Sequence, residues 1–217
     1  MPVDHVVAQG EHTFGIARDY GFSDYHKIWD HPNNADLKSK RKNPNILFPG
    51  DHLYIPDLEK GEYSRGTDKQ HSFRAKISKL KLRLTLEDQY EKPIASAACL
   101  LVVETDVHRL TTDGTGKIEL EIPPSAHNAT LVIQDAQQTP YAGMTIPIKI
   151  GDLDPVEETS GQRARLNNLG YACADAGDAD AAEFRSAVEE FQCDQGLQVD
   201  GICGPNTQAK LKQVHGC

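Results

Sequence analysis

The hydrophobic and polar positions of the first 58 residues predict two short strands flanking two helices. Residues 3–7 and 53–55 are the predicted strands. Thr13 is the predicted N-cap of a first helix, and Ser23 can cap a second. The apolar positions at helical spacing are Phe14, Ala17 and Tyr20 in the first helix and Tyr25, Ile28 and Trp29 in the second. The pattern therefore predicts β-α-α-β order.

The middle of the chain alternates in the manner of half-buried strands. Strands are predicted at residues 80–86, 99–104, 118–122, 130–133 and 145–150. Turn-forming residues separate several of these segments, as at residues 112–116. Several short strands with turns between them predict an antiparallel β-sandwich.

The last segment has the apolar spacing of helices. One helix is predicted to begin near Ser160 and to end at Gly170, a second spans residues 183–192, and a third opens at Pro205. These elements predict a small three-helix bundle. The residues expected in its core are Leu166, Leu169, Val188, Phe191, Leu197, Val199 and Leu211.

Two polar stretches, one containing glycine and the other acidic and interrupted by proline, predict linkers. The predicted organisation is a domain at 1–58, a linker at 59–70, a β-sandwich domain at 71–151, a linker at 152–159 and a helical domain at 160–217. The expected fold class is multidomain α+β.

Charge and hydropathy narrow the classes of function. The net charge of -9 argues against nucleic acid as a partner, because binding phosphate requires a basic surface. No apolar run is long enough for a membrane helix. No classical signal peptide is visible at the N-terminus, which favours a cytoplasmic start and leaves open delivery to the periplasm or cell envelope.

The first domain resembles a LysM module. The motifs that carry the resemblance are residues 6–21, VVAQGEHTFGIARDYG, and residues 43–56, NPNILFPGDHLYIP, with Trp29 between them. The resemblance implies a two-stranded antiparallel sheet with two helices on one side. It also implies binding of glycans that contain N-acetylglucosamine, such as peptidoglycan and chitin. Matched onto this chain, the family's groove has Gly10, Glu11, His12, Thr13 and Phe14 on one wall and Asn45, Ile46, Leu47 and Phe48 on the other.

The chain departs from the family pattern in two places. The usual Asp-Thr-Leu of the first motif is replaced by residues 11–14, which alters the near wall of the groove. A basic patch, residues 38–42, precedes the second motif. The patch is interpreted either as a solvated helix end or as a contact for an anionic wall polymer or a partner protein.

The last domain resembles the peptidoglycan-binding-domain-1 family, a three-helix module. Three ordered motifs carry the resemblance, at residues 165–171, 187–192 and 196–211. Members of this family are often targeting arms of wall hydrolases. The polar residues expected to contact wall fragments are Gln192, Asp200 and Thr207. The middle domain is similar, through residues 112–118, to transthyretin-like or carboxypeptidase-regulatory β-sandwiches, which are commonly spacers.

Cysteines are concentrated in the last domain. Cys173 with Cys193 and Cys203 with Cys217 are disulfide candidates, and free thiols in a cytosolic protein are the alternative. Calcium at Asp106, Asp113 and Asp135 is disfavoured because the EF-hand spacing is missing, so no metal is predicted. No cofactor is predicted either.

No signature of a metalloprotease, serine hydrolase or wall peptidase is present, so the chain is predicted not to be an enzyme. The predicted function is non-catalytic binding of peptidoglycan or related wall glycans through two modules joined by a β-sandwich. The alternative is a structural or adaptor component of a contractile injection system, similar to type VI secretion, or of a phage-tail-like system. Its partner would be a secretion-spike or effector protein.

Overall fold

The computed structural model describes residues 1–58, 64–72, 80–90, 92–134, 141–173 and 180–217. Its contacts divide the chain into two compact units, Met1–Asp152 and Leu153–Cys217. Helices occur together with antiparallel sheets, which is compatible with the expected α+β class. The division into three domains stays a prediction, and residues 59–63 of its first linker lie outside the described residues.

The first unit begins with a two-stranded antiparallel sheet formed by β1 (Val3–Val6) and β2 (His52–Ile55). The chain between these strands forms α1 (Thr13–Asp19), α2 (His26–Trp29), a short 3₁₀ helix (Pro32–Asn34) and α3 (Ala35–Arg41). Helix α2 starts later than the cap predicted at Ser23, and Asp24 Oδ1 accepts the His26 amide hydrogen at 3.0 Å. The core of this part consists of Val7, Ile16, Ala17, Phe22, Ile28, Trp29, Leu47, Leu53 and Ile55.

Two antiparallel sheets follow in the same unit. The first pairs β3 (Leu80–Thr85) with β6 (Lys117–Ile122). The second has the order β5-β4-β7-β8, formed by β5 (Asp106–Thr111), β4 (Ala98–Val103), β7 (Asn128–Ile133) and β8 (Thr145–Lys149). Both sheets contribute to one hydrophobic core. Strand β5 lies at an edge of this sheet and was not predicted, because its apolar positions alternate only weakly and Val107 is exposed.

The second unit contains α4 (Thr159–Asn168), α5 (Asp180–Asp194) and α6 (Pro205–His215). Its buried core is formed by Val156, Leu166, Tyr171, Cys173, Ala187, Val188, Phe191 and Leu211. Buried Arg165 ties the ends of the unit together by donating to the carbonyl oxygens of Cys217 (2.9 Å), Asp154 (2.8 Å) and Gly161 (2.7 Å). Among the described residues, no helix has the length and apolar character needed to cross a membrane.

Candidate functional site

The two predicted walls of the first unit lie side by side. The amide of Thr13, at the start of α1, donates to the carbonyl of Pro44 at 2.9 Å. The loop before β2 is also held at its other end, because Val7 donates to Asp51 (2.9 Å) and Gly50 donates to Val7 (2.8 Å). Backbone hydrogen bonds therefore fix the spacing of the two segments.

A buried ion pair anchors the second wall. Arg41 donates from Nε to Asp51 Oδ2 at 2.7 Å and from Nη2 to Oδ1 at 2.9 Å, and the Phe48 amide also donates to Oδ2, at 3.0 Å. The Arg41 guanidinium lies 5.5 Å from the centre of the Phe48 ring. Burial alone would raise the pKa of Asp51, but the hydrogen bonds from Arg41 and Phe48 hold that pKa below its ordinary value. The carboxylate therefore stays charged and positions the loop.

The structure corrects the predicted cap of α1. His12, not Thr13, is the N-cap, and its Nδ1 accepts the Gly15 amide hydrogen at 3.2 Å. His12 is buried. Burial lowers the pKa of His12 and His127 lowers it further, whereas the Pro124 carbonyl and the carboxylates of Asp19 and Glu11 raise it. His12 is therefore neutral at neutral pH, as the Nδ1 acceptor role requires.

Other residues of the first wall also contact the protein itself and are not free to contact a ligand. Glu11 accepts the Ala8 amide hydrogen and a hydrogen bond from His5 Nε2, each at 2.8 Å. Thr13 is fully buried, and within the described part of the chain its Oγ1 has no hydrogen-bond partner. Gly10, Glu11 and His12 also border a cleft of about 160 Å³ whose other side is formed by Pro124, Ser125 and His127. Much of this wall therefore faces other parts of the first unit.

Only some of the predicted groove residues of the first unit are accessible to solvent. Asn45 is exposed, Phe14 and Phe48 are half-buried, and Ile46 and Leu47 are buried beneath them. The Leu47 amide donates to no acceptor within the described ranges. Two aromatic side chains, one amide side chain and one backbone N–H without an acceptor suit a ligand that alternates apolar faces with amide groups.

The accessible surface continues onto residues that the sequence analysis placed only in a helix. The Phe14 and Tyr25 rings lie 5.5 Å apart, and Tyr25 stacks on His26 at 4.1 Å. Tyr25 was predicted from its spacing to be part of an apolar helix stripe, and no motif marked it or His26 as part of a site. The tertiary packing of α1 against α2 brings these rings next to Phe14.

In the second unit, Gln192 organises the loop that contains residues 198–204. Its side-chain oxygen accepts the amide hydrogens of Asp200 and Gly201, each at 3.0 Å. Its side-chain nitrogen lies 2.9 Å from Asp200 Oδ1 and 3.0 Å from both the Ile202 carbonyl and Thr207 Oγ1. Gln192 is 1% exposed and Thr207 is also buried, so these two predicted contacts hold the loop from beneath.

The exposed surface of this loop differs from the expectation. Val199, which was expected in the core, is 53% exposed, and Ile202 is 66% exposed. They flank the exposed Asp200, whose pKa is lowered by hydrogen bonds from the Gln192 side chain and the Ile202 amide. The interpretation of Val199 as a core residue is wrong, because the hydrogen bonds to Gln192 turn this segment outward.

The structure contains no disulfide bond among the described cysteines, and the proposed pairings stay predictions. Cys217 Sγ lies 3.2 Å from His215 Nδ1. Burial lowers the pKa of His215 to about 4 and raises that of Cys217, and burial raises the pKa of Cys203 to about 11. These thiols are therefore protonated at neutral pH and are weak nucleophiles. Asp135, one of the calcium candidates, lies outside the described residues, and within them no group of three His, Cys, Asp or Glu could hold a metal ion.

Residues 162–211 match the model of the family described as "Putative peptidoglycan binding domain". The match covers the span from α4 to α6 and includes the loop that Gln192 organises. No LysM or β-sandwich family model matches, so those two resemblances stay predictions. No curated protein and no solved structure gives a significant match. The family match suggests peptidoglycan binding and describes a binding domain.

Proposed function

We propose that this protein binds peptidoglycan through a surface on each unit and does not cleave it. The observation that carries the proposal is the match of residues 162–211 to a peptidoglycan-binding family. The finer interpretation, a LysM-like first module, a β-sandwich spacer and a three-helix second module, belongs to the same proposal. Two weak sites on one chain would raise the apparent affinity for a repeating polymer.

In the second unit, the proposed contacts are Val199, Asp200 and Ile202. Gln192 holds their backbone in one conformation, so little conformational entropy is lost when a ligand binds. The two exposed apolar side chains can cover the methyl groups of N-acetyl and lactyl substituents, and the carboxylate between them can accept hydrogen bonds from amide or hydroxyl groups. Gln192 and Thr207 are assigned a supporting role beneath this surface.

In the first unit, the proposed site is the surface formed by Phe14, Asn45 and Phe48 with the Leu47 amide. Sugar rings present apolar C–H faces that pack on aromatic side chains, and an N-acetyl carbonyl can accept the open Leu47 amide hydrogen. Arg41 and Asp51 fix the position of Phe48 before the ligand arrives. Buried His12 and Thr13 are assigned to shaping the loop.

Sedimentation of the 217-residue protein with purified sacculi tests the proposal. Val199→Ser with Ile202→Ser should reduce the pelleted fraction, and Phe14→Ala with Phe48→Ala should reduce it through the other unit. The matched controls are Val107→Ser and Tyr90→Ala, which remove exposed apolar side chains outside both surfaces. Thermal unfolding of each variant separates lost binding from lost folding.

If the unmodified protein stays in the supernatant, the proposal is overturned, and the adaptor alternative, in which these modules dock on protein, is favoured. If only one pair of substitutions reduces pelleting, binding is confined to that unit. Release of soluble muropeptides from the sacculi would contradict the non-catalytic part of the proposal.

A further inference from the structure

The end of α3 carries more positive charge than its neighbours neutralise. Four of the five residues from 38 to 42 are basic. Lys38 pairs with Asp30, and Arg41 pairs with Asp51. Lys40 shares Asp51 with Arg41, and Lys42 has no carboxylate partner within the described residues, in a protein whose net charge is -9.

The position of Lys40 places one of these charges beside the second wall. Its ammonium lies 3.6 Å from Asp51 Oδ1, and its side chain is 62% exposed. Arg41 already makes two hydrogen bonds to that carboxylate, so the Arg41–Asp51 pair is neutral and the charge of Lys40 remains available. Because Asp51 also accepts the Phe48 amide hydrogen, the free charge lies next to the proposed glycan surface.

Lys42 lies where α3 passes into the same loop. It is exposed, and in the part of the chain that the structure describes it forms no ion pair. It ends α3 with φ of 61° and precedes by two residues Pro44, whose carbonyl binds Thr13 of the first wall. The acidic residue of α3, Asp36, lies in the opposite end of the helix. Two lysines, one of which shares Asp51 with Arg41, therefore border the loop that contains Asn45 and Phe48.

We infer that Lys40 and Lys42 form a subsite for the carboxylates of the peptide stems of peptidoglycan. The inference rests on the proposed function, because it needs the glycan strand to lie on the Phe14, Asn45 and Phe48 surface. Chitin has the same N-acetylglucosamine chemistry but carries no carboxylate, so this subsite distinguishes peptidoglycan from neutral glycans. Exposed ammonium groups attract carboxylates in a salt-dependent manner, since the Debye length falls from about 10 Å at 0.1 M to about 3 Å at 1 M salt.

The test compares two forms of one polymer. Sacculi stripped of phosphate polymers by acid are used either unmodified or with their carboxylates converted to neutral amides. The variant Lys40→Gln with Lys42→Gln is compared with Arg65→Gln and Lys69→Gln. This control removes two other exposed positive charges, and within the described residues neither of them is ion-paired. Both variants carry the same formal net charge, -11, obtained as -9 minus 2.

At low salt, the Lys40/Lys42 variant should bind unmodified sacculi about three- to tenfold more weakly than the unmodified protein, from the usual strength of exposed charge pairs. The variant and the unmodified protein should bind amidated sacculi equally well. In 1 M salt they should also bind unmodified sacculi equally well. Equal binding of both variants to unmodified sacculi overturns the inference. An equal loss of binding to the unmodified and the amidated sacculi also overturns it.

The outcome also separates this inference from the proposed function. If the unmodified protein binds neither form of sacculi, the proposed function fails and this inference fails with it. If it binds both forms and the two lysines have no effect, the proposed function stands and the stem-peptide subsite alone is overturned.

Discussion

The loop before β2 is anchored by a buried charged pair, whereas the loop between α5 and α6 is anchored by a neutral amide. Arg41 and Asp51 fix the first loop through two short hydrogen bonds and the Phe48 amide. Gln192 fixes the second through contacts with Asp200, Gly201 and the Ile202 carbonyl. Both devices hold the loop by hydrogen bonds and leave apolar side chains at the surface, half-buried in the first loop and exposed in the second.

The difference matters because the two anchors respond differently to the environment. A buried carboxylate loses its role when it is protonated, and a buried guanidinium left alone is strongly unfavourable. A carboxamide does not titrate, and its loss removes hydrogen bonds without leaving a charge behind. The first loop should therefore be the more sensitive to substitution and to acid.

Substitution of Asp51 by Asn should have the largest effect. It removes the negative charge that accepts two hydrogen bonds from the buried Arg41 guanidinium, so we expect a loss of roughly 3–5 kcal/mol in the free energy of unfolding. Trp29 is the only tryptophan of the chain and lies in the core of the first unit, so its fluorescence during urea unfolding measures this loss. A loss below about 1 kcal/mol would show that the pair is not what holds the loop.

Substitution of Gln192 by Ala should have a smaller effect, confined to the second unit. We expect a loss of about 1–3 kcal/mol, because buried hydrogen-bonding groups lose a neutral partner. Hydrogen exchange should accelerate at the amides of Asp200 and Gly201, with little change at Phe48. Unchanged exchange at those two amides would remove Gln192 as the organiser of the loop.

Lowering the pH should reduce the folding stability of the first unit in two separate pH ranges, one set by His12 and one by Asp51. Because the folded-state pKa of His12 is lowered, the unfolded chain binds its proton more readily, and stability falls as pH drops below about 6.5. The lowered pKa of Asp51 means that its stabilisation is present above about pH 3.9 and is lost as pH falls through the folded-state pKa.

His12→Asn keeps an N-cap acceptor but cannot be protonated in this range. The decline in stability between about pH 6.5 and pH 4, followed by Trp29 fluorescence, should therefore become shallower in this variant. An unchanged slope would assign the decline to a group other than His12.

Exposed ion pairs should have the smallest effect in both units. Lys38 with Asp30 and Lys212 with Glu157 are each between 42% and 49% exposed. Asp30→Asn and Glu157→Gln should each change the free energy of unfolding by less than about 1 kcal/mol. A larger loss from Asp30→Asn would mean that charge pairing matters along the whole of α3 and not only at Arg41.

Most helices and strands were predictable because periodicity reports which side of an element is buried. The prediction of a strand at residues 80–86 agrees with β3, and the helix predicted to open at Pro205 agrees with α6. Helix α3 was not predicted as a separate element, since its polar sequence has no apolar stripe apart from Leu37. Edge strand β5 escaped prediction for the same reason, because Val107 faces outward.

The candidate sites were predictable as segments but not as surfaces. The motifs indicated the loops at residues 10–14, 45–48 and 192–207. Within these loops, however, the buried and the exposed side chains are not the ones that the motifs predicted. Gln192 was expected to be exposed and is buried, and Val199 was expected to be buried and is exposed. Whether a polar side chain faces solvent or the backbone of a loop depends on distant partners, which a motif does not specify.

By itself, the sequence determined the α+β class, most element positions and the resemblance of the last segment to a peptidoglycan-binding family, since these depend on local spacing and on motifs. Only the tertiary structure decided that His12 caps α1, that Arg41 and Asp51 form a buried pair, and that Lys40 shares Asp51 with Arg41. The physical reason is that burial and charge compensation depend on residues far apart in the chain, which meet only after folding.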